Sequence, residues 1–445
     1  MKSRTLITIG LLGLLLQEKA TAQVKQLSLS ETFGLVAKGN RNLQVQALEN
    51  QRSGLAVKES KSQLLPVVNL NGSYTLYTEL PVIYLRNENT SEKVGDVKYN
   101  GRHAFDGVIS AAYPILNKGI QSAIRESGIR EQLSHQQTKL LEEQLAITVS
   151  QKYLGILLNQ EQEKLLLQSL QRNQKALADS RSLFLQGKNL KTDTLSNYIM
   201  IQNILSSISI LHTSTNVMKL ELKQLMGLED SITIELTDKL ENAVAATNDL
   251  PGDSLLGFAL NNRNDIRSAA LQLEQRKEQG LAVKSKYSPQ LWLVGQYQLQ
   301  AQADNLKFWN YSFPRTSFAG IRFSMPIYSG NRQKYQLEQA GMAVSQTEKS
   351  IEELKSSVKT ELYAANANLQ EAWRQLGIQE QNEQAAQINY HMMQERYTHG
   401  LGTRLELSDA ELSLTKARLG KIQAIYQIRL AEVQLRKATG TLHLQ

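Results

Sequence analysis

The sequence predicts an α+β chain in which β-strands of membrane-spanning length alternate with long coiled-coil helices, the whole unit being written twice. Three observations point there. Distant segments match in the same order, the stretches beside paired prolines alternate apolar and polar, and apolar residues recur every seven positions over long proline-free runs.

Leu43 to Leu48 aligns with Ile266 to Leu271 at an offset of 223, and Pro66 aligns with Pro289 at the same offset. Tyr113-Pro114-Ile115 aligns with Met325-Pro326-Ile327 at 212. Gly187 aligns with Gly400, and Gly227 with Gly440, both at 213. The fall of 11 between the prolines predicts a longer loop in the first half. The expected organisation is a signal peptide over 1–22, a first repeat over 23–228, a linker over 229–250, a second repeat over 251–440 and a tail over 441–445. The signal peptide is read from Lys2 and Arg4, the apolar run Leu6 to Leu16, and the small-residue site Ala20-Thr21-Ala22.

Each half opens with a helical stretch, 29–62 and 253–286, and then alternates. Val68, Leu70, Gly72, Tyr74 and Leu76 share one face, with Asn69, Asn71, Ser73 and Thr75 on the other. Leu291, Leu293, Gly295, Tyr297 and Leu299 repeat the pattern. Second strands run into the later prolines through Phe105, Gly107, Ile109, Ala111 and Tyr113, and through Ala319, Ile321, Phe323 and Met325. Strands of about 10 residues suit a tilted membrane span. Of 27 aromatic residues, 16 lie in 70–116 or 287–328. Phe308, Trp309, Tyr311 and Phe313 cluster as interfacial girdle residues would. A soluble hairpin packed on a core is the other reading of these strands.

Helical period then holds over about 119–186 and 332–399, roughly 100 Å each if continuous. Leu133, Leu140, Ile147 and Leu154 are seven apart, as are Leu362, Leu369 and Leu376. Shorter helices return at about 190–227 and 403–440. Their seams differ: Ile204, Leu211, Met218 and Leu225 in the first copy correspond by the repeat to Ala417, Ala424, Ala431 and Ala438 in the second, so the two helices are expected to pack at different distances from their neighbours. Four strands cannot close a barrel, which starts at about eight, so the chain must oligomerise. Two copies give eight strands and a filled interior; three give twelve and a lumen. The polar face (Asn69, Asn71, Ser73, Gln296, Gln298) suits a wet lumen.

Composition excludes several classes. The absence of cysteine removes disulfides, thiol catalysis and thiolate metal sites. The net charge of +8 is spread among acidic residues, which argues against nucleic-acid binding. Six scattered histidines and the lack of P-loop, dinucleotide or hydrolase motifs leave no cofactor, metal or catalytic centre to assign.

The repeat, the strand exits at x-Pro-hydrophobic, the paired G-x5-[DE] turns and the closing Leu222 to Gly227 and Leu435 to Gly440 segments together resemble the TolC-like outer-membrane efflux channels. The resemblance spans nearly the whole mature chain. It implies a homotrimer with a 12-stranded barrel, four strands per chain, held in outer-membrane lipid. A long coiled-coil helical barrel would continue into the periplasm. Its partners would be a periplasmic adaptor (membrane fusion) protein and an inner-membrane transporter. The implied function is a passive exit duct with a periplasmic gate, exporting small molecules, with no enzymatic step. An exit channel for type I protein secretion is a related reading. A periplasmic coiled-coil scaffold without a pore is a reading of another class.

The same resemblance assigns sites. The turns around Gly187, Gly400 and Gly402 become periplasmic tips that meet the adaptor. Glu406 and Asp409 fall where acidic constriction residues stand. Being i and i+3 on a helix they share a face, and three copies would make a ring favouring cations. Two solvated acids in a first helical turn are the plainer reading. Tyr397 would donate to Asp193 across adjacent helix pairs and hold the tips shut, with Thr192 beside it. The family can place an arginine two residues after the second glycine; here Gly402 stands there, with Arg404 two residues on. Thr192 and Asp193 also suit an N-cap.

Overall fold

The computed structural model describes residues 24–99, 101–188, 190–240, 252–307 and 310–444. The expected signal peptide, the linker beyond residue 240, Phe308 and Trp309 lie outside the described residues.

The chain runs β1 (Val24–Leu27), α1 (Leu29–Gly39), α2 (Arg41–Ser62), β2 (Val67–Leu76), β3 (Val82–Arg86), β4 (Lys93–Lys98), β5 (His103–Leu116), α3 (Lys118–Leu185) and α4 (Lys191–Met226). It continues with β6 (Thr233–Leu236), α5 (Gly252–Asn262), α6 (Asn264–Ser285), β7 (Gln290–Ala303), β8 (Arg315–Ser324), α7 (Arg332–Thr398) and α8 (Arg404–Thr439). The repeat survives in detail: α3 and α7 have 68 and 67 residues, and α4 and α8 have 36 each. The opening helical stretch is broken once in each copy, at Asn40 and at Arg263, both extended and separated by the offset of 223. Strands β1 and β6 form a small parallel pair, so the linker carries a strand.

Two compact units exist, and each draws on both repeats, because each repeat supplies one strand pair and one helical hairpin. One unit comprises Leu43–Leu141 and Asp253–Glu361. It holds an antiparallel sheet in the order β2-β5-β7-β8. The register places Leu70, Ile109 and Tyr297 side by side, and Val68, Ala111, Gly295 and Ala319 in the next row but one. Directly opposed residues share a face, so the expected apolar face is continuous over four strands. The other face carries Asn69, Ser110 and Gln296 in one row and Ser73, Asp106 and Gln300 in another. There Gln298 Nε2 donates to Asp106 Oδ1 at 2.6 Å, and Gln296 Nε2 donates to Gln298 Oε1 at 3.2 Å. The apolar face is uncovered within the chain, Leu70 being 78% exposed. Strands β2 and β8 are the edges, each 10 residues long; the inner strands have 14.

The expected long loop of the first half is itself a hairpin, β3 with β4, that prolongs β2 and β5. The hairpin keeps backbone donors paired, as Tyr77 N to Arg102 O at 2.8 Å and Tyr99 N to Pro81 O at 2.9 Å show. In this unit Arg263, its side chain 8% exposed, pairs with Asp265 at 2.6 Å and Glu361 at 2.7 Å.

The other unit comprises residues through Asn42, Glu142–Gly252 and Leu362–Gln445. Here α4 returns beside α3 and α8 beside α7. Leu166 and Leu170 of α3 pack on Ile201 and Ile204 of α4, with Leu419 of α8 against them. Ala424, Ala431 and Ala438, three of the predicted alanine seam, are buried. Tyr153 donates to Leu27 O at 3.0 Å and to Asp238 Oδ2 at 2.9 Å, and Asp238 also accepts from Leu29 N, tying the β1–β6 pair to α3. Among the described residues no helix is long and apolar enough to cross a membrane.

Candidate functional site

The site lies at the two helical turns of the second unit described. After α3 and α7 the chain enters the left-handed region at Gly187 and Gly400, both with φ 72°. Each turn closes with the same pair of bonds: Gly187 N to Phe184 O and Lys188 N to Leu183 O, then Gly400 N to Tyr397 O and Leu401 N to Arg396 O. These satisfy carbonyls left open at a helix end, and glycine adopts that φ without a Cβ penalty.

The helices that follow begin differently. At α8, Thr403 is the N-cap; Glu406 N donates to Thr403 Oγ1 at 3.2 Å, and Thr403 N donates to Glu406 Oε2 at 2.8 Å. This is a capping box. The Thr403 backbone N–H, and then its hydroxyl, hold the Glu406 carboxyl below the usual carboxylate range. At α4 the N-cap is Leu190, so Thr192 and Asp193 lie within the first turn and neither is the cap. Glu406 and Asp409 are both exposed on α8.

An open groove of about 760 Å3 separates the turns, lined by Gly187, Asp193, Tyr397, Gly400, Gly402 and Arg404 among others. Seven of the nine residues singled out in the sequence therefore meet in one place, or adjoin it through Glu406, whose Oε2 a Cβ on Gly402 would approach to 3.3 Å. Within the chain Arg404, not Tyr397, makes the tie between the helical hairpins. Its Nη2 donates to Asn197 Oδ1 at 3.2 Å, and its guanidinium lies 5.7 Å from the Tyr397 ring centroid.

The sequence reading missed Asn197, which is 1% exposed and also donates to Ser180 Oγ at 3.1 Å. A signal was present: one step of seven back from Ile204 falls on Asn197, a polar residue on an apolar seam. It also missed a second knot. Glu411, 5% exposed, accepts from Arg172 Nε and from Asn173 Nδ2, both at 3.0 Å.

With fold and site in view, comparison with known proteins gives a consistent answer. Residues 255–441 match the family model described as outer membrane efflux protein. The chain is 20% identical over 419 residues to the outer membrane protein TolC of Vibrio cholerae, covering 94% of this chain and 92% of that one. It is 23% identical over 163 residues to the outer membrane efflux protein BepC of Brucella suis, a match spanning 37% of this chain and 36% of BepC. Among solved structures, the outer membrane protein VceC of Vibrio cholerae superposes with a TM-score of 0.75 at 15% identity, covering 93% of this chain and 96% of that one. The second repeat is thus similar to the outer membrane efflux protein family, and the chain shares the fold of solved outer-membrane proteins such as VceC over nearly its whole length.

Proposed function

We propose that the protein is the outer-membrane exit duct of a tripartite efflux system. It is a passive channel whose periplasmic mouth opens and closes. The observation that carries this reading is the sheet: four strands, one face apolar and uncovered, the other polar, with β2 and β8 as open edges. In lipid each unpaired edge group costs several kcal/mol, so only closure against further copies satisfies it. Three copies give twelve strands around a lumen lined by residues such as Asn69, Asp106, Gln296 and Gln298. On α4, Leu195, Tyr198 and Ile199 are exposed and supply an apolar seam for a neighbouring chain in a homotrimer.

An energised inner-membrane transporter drives small molecules through the duct, and a periplasmic adaptor docks at the tips around Gly187, Gly400 and Gly402. Glu406 and Asp409 ring the mouth and favour cations. Thr192 and Asp193 on one hairpin face Tyr397 and Arg404 on the next and hold the mouth shut. Cell fractionation with planar-bilayer recording tests the reading. The duct requires detergent extraction from outer membranes as a trimer and passes discrete ion currents. A protein released by buffer alone, without currents, refutes it.

A further inference from the structure

The two edge strands end early, each at the place where a further strand would hold it. The repeat sets β8 on β5 at the offset of 212 and β2 on β7 at the offset of 223. Strand β5 covers 103–116, which corresponds to 315–328, yet β8 ends at Ser324, four residues short. Strand β7 covers 290–303, which corresponds to 67–80, yet β2 ends at Leu76, again four short. Among the residues β8 lacks, Met325, Ile327 and Tyr328 are 47%, 97% and 82% exposed. Their counterparts at the end of β5, Tyr113 to Leu116, lie along β7.

Strands β5 and β7 meet where the sheet passes from the first repeat to the second. Strand β8 meeting β2 of the next copy is the same junction between chains, so its register can be read from the one within the chain. Ser110 pairs with Gln296, and Gln296 with Phe318. At the repeat offsets Ser110 becomes Arg322 and Gln296 becomes Ser73, and Ser73 is paired with Asp106 in its own chain. Of the charged residues in these four strands, Asp106 and Arg322 lie on the polar face, Asp106 opposite Gln300 and Arg322 opposite Trp292, which alternates with Gln296. Within one chain they cannot meet: Gln300 and Trp292 are eight residues apart on β7, about 26 Å along the strand. Between copies they share a row two strands apart, about 10 Å from backbone to backbone, which an arginine and an aspartate side chain together span. Gln298 occupies Oδ1 of Asp106, at 2.6 Å, and leaves Oδ2 for a second donor.

We propose that Arg322 of one copy and Asp106 of the next form an ion pair across each seam of the barrel, three pairs around the lumen, and that this pair selects the register in which β8 closes on β2. This rests on the trimeric duct reading above. A slip of two residues keeps both faces of the sheet correct, so alternation alone cannot choose among registers. The same slip moves the two charges about 7 Å along the strand and parts them. In a wet lumen such a pair adds modest stability, and its weight falls on choosing one arrangement over its neighbours.

Two experiments on the full-length protein test register and charge separately. In this register Asn71 faces Ser324, beside the charged row and with both charges intact. Asn71→Cys with Ser324→Cys, oxidised in intact outer membranes, is expected to give covalent trimers in higher yield than Asn71→Cys combined with cysteine at Arg322, Gly320 or Phe318. A higher yield at any of those three overturns the register. No covalent product at any of the four, in folded and membrane-bound protein, defeats the closure of the sheet and with it the duct reading. For the charges, the temperature at which the purified trimer dissociates in detergent is expected to fall by several degrees in Asp106→Arg and in Arg322→Asp, and to recover most of the loss when the two are combined. Where a reversed variant fails to assemble, Asp106→Asn and Arg322→Gln stand in, and Arg322→Gln then lowers the temperature less beside Asp106→Asn than alone. Losses that simply add in the combined variant overturn the ion pair.

Discussion

A Cβ on Gly227 would lie 2.2 Å from the carbonyl oxygen of Gly39, so the ends of α4 and α1 meet backbone to backbone. Gly227 also has φ 67°. Gly187 has a similar φ of 72° but open space around its Cβ position. Alanine at Gly187 therefore costs only the left-handed conformation, about 1 kcal/mol. Alanine at Gly227 adds a collision with backbone that has no flexible end to move. Thermal unfolding of purified protein is expected to show a small shift for Gly187→Ala and a much larger one for Gly227→Ala. Equal shifts would contradict the close approach.

Arg263 ties the stability of its unit to pH through the two carboxylates it pairs with, Asp265 and Glu361. Burial pushes the Asp265 carboxyl up, but the hydrogen-bonded Arg263 guanidinium outweighs it and holds the carboxyl below its usual range. That stability is present above the ordinary carboxylate pKa of about 4 and is lost as pH falls through the lower folded value. Arg263→Met leaves Asp265 and Glu361 without this cation, a loss of about 3 kcal/mol at pH 7, at the low end because both acids are about a third exposed. Acid then protonates the stranded carboxylates. The stability gap to the unsubstituted protein should narrow between pH 7 and pH ~4 in denaturant titrations. A gap that stays constant would show that the carboxylates do not depend on Arg263.

At the mouth, charge and capping can be separated. Glu406→Gln retains an oxygen that accepts from Thr403 N, so the cap persists while the charge goes. Together with Asp409→Asn it is expected to weaken cation preference in reversal-potential measurements. Thr403→Ala does the opposite: it removes the cap, costing about 1 kcal/mol, and leaves the selectivity. Because Thr403 lowers the Glu406 pKa, its share of the preference should persist as pH falls to the ordinary carboxylate range. Unchanged preference in the neutralised double variant would rule out the ring.

Much of the fold was legible because period and repeat are local properties of the chain. Gly187, Gly227, Gly400 and Gly440 marked helix ends to within two residues, and the alternation about Leu70 and Tyr297 set both faces of the sheet. The breaks at Asn40 and Arg263 were not read, since each depends on partners far along the chain: Asn40 donates to Leu225 O, and Arg263 binds Glu361. At the site, glycines and acids stood out by spacing. Asn197, Glu411 and Arg172 did not, because their role comes from α8 lying against α3 and α4, a juxtaposition that helical period alone does not specify. The capping by Glu406 and Thr403 was hidden for a simpler reason: Thr403 was passed over beside the acid it pairs with.

The central claim is that the open edges β2 and β8 are closed by other copies of the chain, and the absence of cysteine makes it directly measurable. Asn71→Cys on β2 can be combined in turn with cysteine at Thr316, Phe318, Gly320, Arg322 and Ser324, which share the polar face of the sheet on β8. Oxidation in intact outer membranes, followed by non-reducing electrophoresis, should yield covalent dimers and trimers at the pairing register and little elsewhere. Monomers alone at every one of these positions, in protein that is folded and membrane-bound, would contradict it.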